Sequence, residues 1–271
     1  MNGDKQIKLI VVDLDGTLLN SESKMSSRNE NAIKAAMDKG VQVVIATGKT
    51  RYSATEVIKT LGLTTPGIYL QGLAIYNADG TIGHQQTLDD SLARQVITFA
   101  EDRGFDVVAY SGSRILVKQS NSKGDELAEK YGEPVPEAVG PLQNILGEMD
   151  VHKLIITKAG DERKVKALRW QLSKQIDTKG RLVQAMIPDM VEILPPGASK
   201  GAALRVLLKQ MSRAAEDMMV IGDGENDLEM VQMAGVGIAV GNAYQGLKDI
   251  ATEVVGTNDE DGVAQAIEKY V

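Results

Sequence analysis

Short apolar runs that stop at polar clusters recur along this chain, with apolar residues at helical spacing between them. Ile7 to Val12 is apolar apart from Lys8 and stops at Asp13, so the sequence predicts a buried strand over 7–12. A helix over 26–39 should follow, with Ser27 and Glu30 at capping-box spacing and Ala32, Ile33, Ala36 and Met37 on one face. A strand over 41–46, a helix over 51–61 and a short strand at Ile68-Tyr69-Leu70 come next. The rhythm resumes after Lys200, with a helix over 199–211, a strand over 218–221, a helix over 226–234 and a strand over 236–240. Two shorter helical stretches, 243–250 and 261–269, complete it. Near-continuous apolar strands alternating with helices predict a doubly wound, Rossmann-like α/β core whose parallel sheet is covered on both faces.

The middle of the chain keeps a different rhythm. Helical patterns at 90–103 and 161–175 alternate with strand-like Val107 to Tyr110, Ile115 to Val117 and Leu154 to Ile156, while Gly132 to Pro141 reads as loop. An inserted α/β domain over 84–188 follows, with 1–83 and 189–271 forming a discontinuous core and turn residues Ala78-Asp79-Gly80 and Pro188 marking the junctions. Trp170, within one of these helical patterns, is expected in the core, as are the methionines between Met218 and Met233. The isolated His84 and His152 are expected to be structural.

Chemistry gathers where the core strands end. Asp13 and Asp15 stand two apart after the first run, and on an extended backbone such side chains point the same way. Two carboxylates so close repel unless a proton or cation lies between them, which points to a hard-cation site with one carboxylate free to attack. The bland alternative is a solvated turn at Gly16. Three more clusters follow runs of the same kind: Thr47-Gly48-Lys49, Ser199-Lys200 opening a helix, and Gly222-Asp223-Gly224-Glu225-Asn226-Asp227. In an open α/β sheet all four would lie beyond the strands' carboxyl ends, where ligands bind. Taken singly, Lys200 reads as a surface charge and Asp227 as a helix cap, while Arg51 reads either as a substrate contact or as a solvated residue.

With these four clusters in this order, the chain resembles the haloacid dehalogenase-like phosphohydrolases, and the insertion between the second and third clusters resembles their Cof-type branch. Asn242-Ala243 and Asp261-Gly262-Val263-Ala264 are similar to that branch as well. Two departures stand out: Thr-Gly-Lys where the branch has Thr-Gly-Arg, and Gln71-Gly72 where Asn-Gly-Ala is common. The resemblance implies a Mg²⁺-dependent phosphatase acting on a small phosphomonoester such as a sugar phosphate, cofactor phosphate or nucleotide. Asp13 would be the nucleophile forming an aspartyl-phosphate, and Asp15 the general acid and base. Asp13, Asp15 and Asp223 would hold the metal. The Leu14 amide, Thr47, Gly48, Lys200 and Asn226 would hold phosphoryl oxygens, and Asp227 would orient Lys200 or a metal-bound water. The insertion would act as a cap that selects the leaving group. A phosphotransferase or mutase on the same core, and a catalytically inactive binding module, are the alternatives.

Composition narrows the partners. At 271 residues and 43% hydrophobic content the chain can fill real cores, and no apolar run reaches transmembrane length. A net charge of −7 argues against nucleic acid, so an anionic substrate needs local positive charge. The absence of cysteine excludes thiol catalysis and disulfides. Met1 to Lys8 is short and polar, so a soluble cytoplasmic protein is expected, or an organelle-lumen protein, such as one of the plastid stroma, whose transit peptide has been removed. Oligomeric state is open. Three decoys fall away. Val43 stands where a P-loop ending in Gly48-Lys49-Thr50 needs glycine, no histidine follows Ser199 to complete a hydrolase triad, and the glycines from Gly235 to Gly241 miss dinucleotide-binding spacing.

Overall fold

The computed structural model describes residues 6–120, 124–125, 128–129, 132–184 and 188–271. Residues 1–5, which carry most of the segment behind the leader expectation, lie outside them. The chain forms two compact units: Met1–Lys49, Ala54–His84 and Ser199–Val271 in the first, Thr50–Ser53 and Gln85–Ala198 in the second.

The first unit is built on a five-stranded sheet in the order Glu253–Val254, Val236–Ala239, Met218–Gly222, Leu9–Val12, Gln42–Ile45. All its pairings are parallel. Leu9, Ile10, Val11 and Val12 are fully buried, and alternate residues of a strand face opposite sides, so both faces of the sheet are covered. The register sets Val12 level with Ile45 and Ile221, which delivers the segments after three neighbouring strands to one edge. Strand order reverses between Leu9–Val12 and Met218–Gly222, the switch point beyond which an α/β sheet opens a crevice. Beside this sheet, Gly67–Tyr69, Ala74–Tyr76 and Ile82–Gln85 form a small three-stranded sheet.

In the second unit a six-stranded sheet runs in the order Arg181–Gln184, Met190–Leu194, Lys153–Thr157, Asp106–Ser111, Arg114–Val117, Glu137–Ala138. Its pairings are antiparallel except the last. Val107, Ala109, Leu116, Leu154, Ile156, Val191 and Ile193 pack in one core with Leu92 and Val96 of the helix Asp90–Glu101 and with Val165, Leu168 and Leu172 of the helix Glu162–Gln175. Among the described residues no helix is long and apolar enough to cross a membrane.

Several local expectations shift for identifiable reasons. The second unit runs past residue 188 to Ala198, because Met190–Leu194 pairs with Lys153–Thr157 and with Arg181–Gln184. The first helix spans Ser27–Asp38 and is capped by Ser26, whose hydroxyl accepts from the Asn29 amide, while Glu30 pairs with Lys34 instead of closing a capping box. The next helix starts only at Thr55. Glu137–Ala138 forms a short strand within the stretch read as loop. Trp170 is 65% exposed, a correction to its placement in the core. It lies two positions from Leu168 on a helix whose buried residues are Val165, Leu168 and Leu172, and two steps of about 100° carry it to the opposite face. His152 is buried: its Nδ1 accepts from the Gly112 amide and its Nε2 lies 3.1 Å from Gln85 Oε1.

The Trp170 correction is open to measurement. Trp170→Ser should change unfolding free energy by no more than about 0.5 kcal/mol, whereas Leu168→Ala, two residues away, should cost about 2–5 kcal/mol. Urea denaturation of both variants checks this, and a large loss from Trp170→Ser would refute the exposed position.

Candidate active site

The parallel register brings three of the polar clusters together. Asp13 leaves the strand Leu9–Val12 still tied to its neighbour, its amide donating to the Ile221 carbonyl at 3.1 Å. Its carboxylate is buried, and Oδ1 accepts from Lys200 Nζ at 2.6 Å. Lys200 is the first residue of the helix Lys200–Gln210, started by the Ser199 hydroxyl accepting from the Ala202 amide at 3.0 Å. A second bond, at 2.8 Å, runs from Lys200 Nζ to Asp227 Oδ1, and Lys200 is only 1% exposed. Asp227 Oδ2 in turn accepts from the Asp223 and Gly224 amides at 3.1 and 3.0 Å. A cap-like role and a lysine-orienting role thus share one carboxylate.

Asp223 follows the strand Met218–Gly222, and its Oδ1 accepts from the Thr17 hydroxyl at 2.9 Å. Gly16, at φ +76°, makes the turn that brings Thr17 there, and a Cβ on it would lie 2.5 Å from Asp223 Oδ2. Backbone freedom and lack of a side chain are both needed at that position. Asn242 Nδ2 secures the same turn by donating to the Gly16 carbonyl at 2.8 Å.

Asp13, Asp223 and Asp227 each present a carboxylate oxygen within 4.8 Å of the others, a group able to hold a metal ion. Burial pushes the Asp13 carboxyl well above its ordinary range. The Lys200 ammonium opposes that shift, and the charges of Asp227 and Asp223 add to it. Burial likewise raises Asp223, with Asp227 adding its charge. Burial works to lower Lys200, but Asp13 and Asp227 outweigh it and hold the ammonium above its usual value. Three crowded carboxylates against one ammonium leave excess negative charge, the condition a hard divalent cation relieves.

The Asp15 carboxylate goes elsewhere. Its Oδ1 pairs with Lys49 Nζ at 2.8 Å, and it is not one of the three carboxylates grouped at Asp13, Asp223 and Asp227. The strand ends at Val12 and the chain turns at Leu14, between the two acids. Leu14 is buried, its carbonyl accepting from the Thr17 and Leu19 amides. Thr47 is buried after the strand Gln42–Ile45, and its hydroxyl accepts from the Lys49 amide at 3.2 Å. Gly48 lies against the Gln71 carboxamide, and Asn226 Nδ2 donates to Gln71 Oε1 at 3.0 Å. The Lys49 to Asp15 pair, the Asn242 anchor and the place of Gln71 escape sequence reasoning. The advance signals are that Lys49 and Gln71 depart from the branch's usual residues and that Asn242 lies in a segment similar to that branch.

The sequence profile of the haloacid dehalogenase-like hydrolases matches residues 10–267. A chloroplastic endoribonuclease YBEY of Arabidopsis thaliana is 36% identical over 270 residues, covering 96% of this chain. The chain spans only 46% of that relative's length. Phosphatase YwpJ of Bacillus subtilis is 29% identical, over 95% of this chain and 98% of its own. The 5-amino-6-(5-phospho-D-ribitylamino)uracil phosphatase YcsE of the same organism is 28% identical, over 99% and 97%. Among solved structures, a haloacid dehalogenase-like hydrolase from Bacteroides thetaiotaomicron superposes with a TM-score of 0.89 at 30% identity, covering 98% of this chain and all of the other.

The raised carboxyls give a pH-dependent test of cation binding. A carboxyl whose folded pKa exceeds its unfolded value contributes stability below the unfolded pKa and loses it as pH rises through the folded value. Asp13 and Asp223 should therefore weaken the cation-free fold as pH increases, and a cation that binds the ionised pair should offset this. The rise in melting temperature on adding Mg²⁺ is expected to be larger near pH ~7.5 than near pH ~5. Equal shifts at both pH values would refute cation binding at this cluster.

Proposed function

This chain belongs to the haloacid dehalogenase-like hydrolases, and from that membership we propose that it is a Mg²⁺-dependent phosphatase of a small phosphomonoester, working through an aspartyl-phosphate on Asp13. One observation carries the reading: a buried carboxylate at the end of a central strand, hydrogen-bonded by a buried lysine and within reach of two further carboxylates.

The residues present fit the metal. Asp13 and Asp223 would hold it, with the backbone carbonyl of Asp15 as a further oxygen ligand. Its chemistry when bound is to neutralise charge between nucleophile and phosphate and to orient the phosphoryl group. Lys200 donates to Asp13 Oδ1, leaving the second oxygen to attack phosphorus while Asp227 holds the ammonium from behind. As the Asp13 oxygen bonds to phosphorus, the ester P–O bond breaks and Asp15 gives its proton to the departing alkoxide. Asp15 then takes a proton from water, whose oxygen attacks phosphorus, releasing inorganic phosphate and restoring Asp13. Lys49 keeps the Asp15 side chain in place through both steps. The Leu14 and Gly48 amides, the Thr47 hydroxyl, Lys200 and Asn226 would hold phosphoryl oxygens as charge redistributes.

Selection of the leaving group is assigned to the second unit, so the substrate is a small phosphorylated metabolite whose identity that unit decides. The phosphoribityl compound named for the Bacillus relative YcsE belongs in the panel to be tried. Asp13→Asn should abolish hydrolysis of an aryl phosphate and of every metabolite ester while the protein still melts cooperatively. Persistent turnover in the folded variant would eliminate Asp13 as the nucleophile.

Replacement of a loop in the second unit by a short Gly/Ser connector is expected to reorder the metabolites and to spare aryl phosphate hydrolysis. Equal losses on both substrate types in a folded protein would argue against this division of labour.

A further inference from the structure

Leu70, Gln71 and Gly72 stand in succession at φ +54°, +61° and +92°, a left-handed run in which two of the three residues carry side chains. Glycine, or failing that asparagine, adopts this backbone with least strain, so a glutamine at its centre calls for a reason. The surroundings hold the run in place. The Leu70 amide donates to the Lys49 carbonyl at 2.9 Å and the Gln71 amide to the Thr47 carbonyl at 3.2 Å. Leu70 is fully buried, and a Cβ on Gly72 would lie 2.2 Å from the Ser199 carbonyl oxygen. Three residues thus touch the Thr47 to Lys49 loop on one side and the start of the Lys200 helix on the other.

The Gln71 side chain reaches the remaining part. Its Oε1 accepts from Asn226 Nδ2 at 3.0 Å, and its Nε2 lies 2.6 Å from where a Cβ on Gly48 would stand. The carboxamide therefore lies against Gly48 and accepts from Asn226, two of the groups assigned above to phosphoryl oxygens. One Nδ2 hydrogen of Asn226 is committed to Gln71, which fixes the amide plane and hence the direction of the other. An ordinary exposed Asn–Gln hydrogen bond explains the contact but not the strained backbone that aims it.

We propose that Gln71 is a positioning residue, aiming the Asn226 carboxamide at the phosphoryl group and setting its spacing from Gly48. The inference rests on the phosphatase reading and adds to it a reason for the strained turn. Stored backbone strain at such a place is expected when surrounding contacts over-determine the conformation.

The test compares Gln71→Gly, Asn226→Ala and the double variant with the parent chain in the presence of Mg²⁺. The readouts are melting temperature, kcat and KM for an aryl phosphate, and the dissociation constant of inorganic phosphate by calorimetry. Gln71→Gly should melt at or above the parent temperature, since glycine relieves the backbone. Its KM and its phosphate dissociation constant should rise about tenfold, the scale of one misdirected charge-assisted hydrogen bond. Asn226→Ala should match it, and the double variant should lose no more than either alone, because the two side chains act as a unit. Unchanged phosphate binding in Gln71→Gly, or losses that multiply in the double variant, would overturn the inference. So would a marked fall in its melting temperature, which would make the side chain a structural brace. A parent chain that turns over no phosphomonoester would defeat the phosphatase reading, and phosphate calorimetry on the same four proteins would still decide the role of Gln71.

Discussion

The carboxylates of Asp13 and Asp227, beyond two neighbouring strands, are arranged around one buried ammonium. Lys200 gives up its hydration at 1% exposure, a cost that only close and well-directed carboxylates offset. Asp13 and Asp227 supply them at 2.6 and 2.8 Å, from segments 214 positions apart that meet only because their strands pair in register. Asp227 is itself held by two backbone amides, so the triad is anchored to the chain at each member. Removing Lys200 would leave two carboxylates uncompensated in a dry place, which makes the arrangement specific as well as costly.

The triad does not balance. With Asp223 included, the carboxylates outnumber the ammonium, and burial, with that surplus adding to it, raises the pKa values of Asp13 and Asp223. On the proposed reading, a site that favours protons in isolation would take a divalent cation when one is offered, and a phosphate dianion would approach once such positive charge is present. A net charge of −7 over the chain gives no help from long range, so attraction for the substrate has to be generated within the site.

The core of this fold was legible because its signals repeat. Apolar runs ending in Asp13, Thr47 and Asp223 recur with helical patterns between them, and parallel pairing then leaves one place for the polar ends to go. The second unit was less legible at its edge. Met190–Leu194 follows Pro188 and precedes Pro195-Pro196, so local punctuation marks a boundary that long-range pairing with Lys153–Thr157 overrides. Trp170 misled for a related reason: a large aromatic side chain is a strong prior for burial, but the position of Leu168 and Leu172 on the helix decides which face turns inward.

What the sequence could not convey at the site is direction. Asp13 and Asp15 are neighbours in any reading of the chain, yet one turn at Leu14 sends their carboxylates to different partners, Lys200 and Lys49. Propensity is equally silent about Leu70 and Gln71, neither of which is a residue chosen for left-handed backbone. Local preference and global structure disagree there, and such disagreements survive where surrounding contacts enforce them. The Thr47 and Lys49 carbonyls on one side and the Ser199 carbonyl on the other do so. The segment that violates the local rules is therefore the one that joins two of the clusters, and its departure from the branch's usual Asn-Gly-Ala falls at the residue whose side chain reaches a third, at Asn226. A strained position filled by a residue ill suited to its backbone is best explained by what its side chain touches.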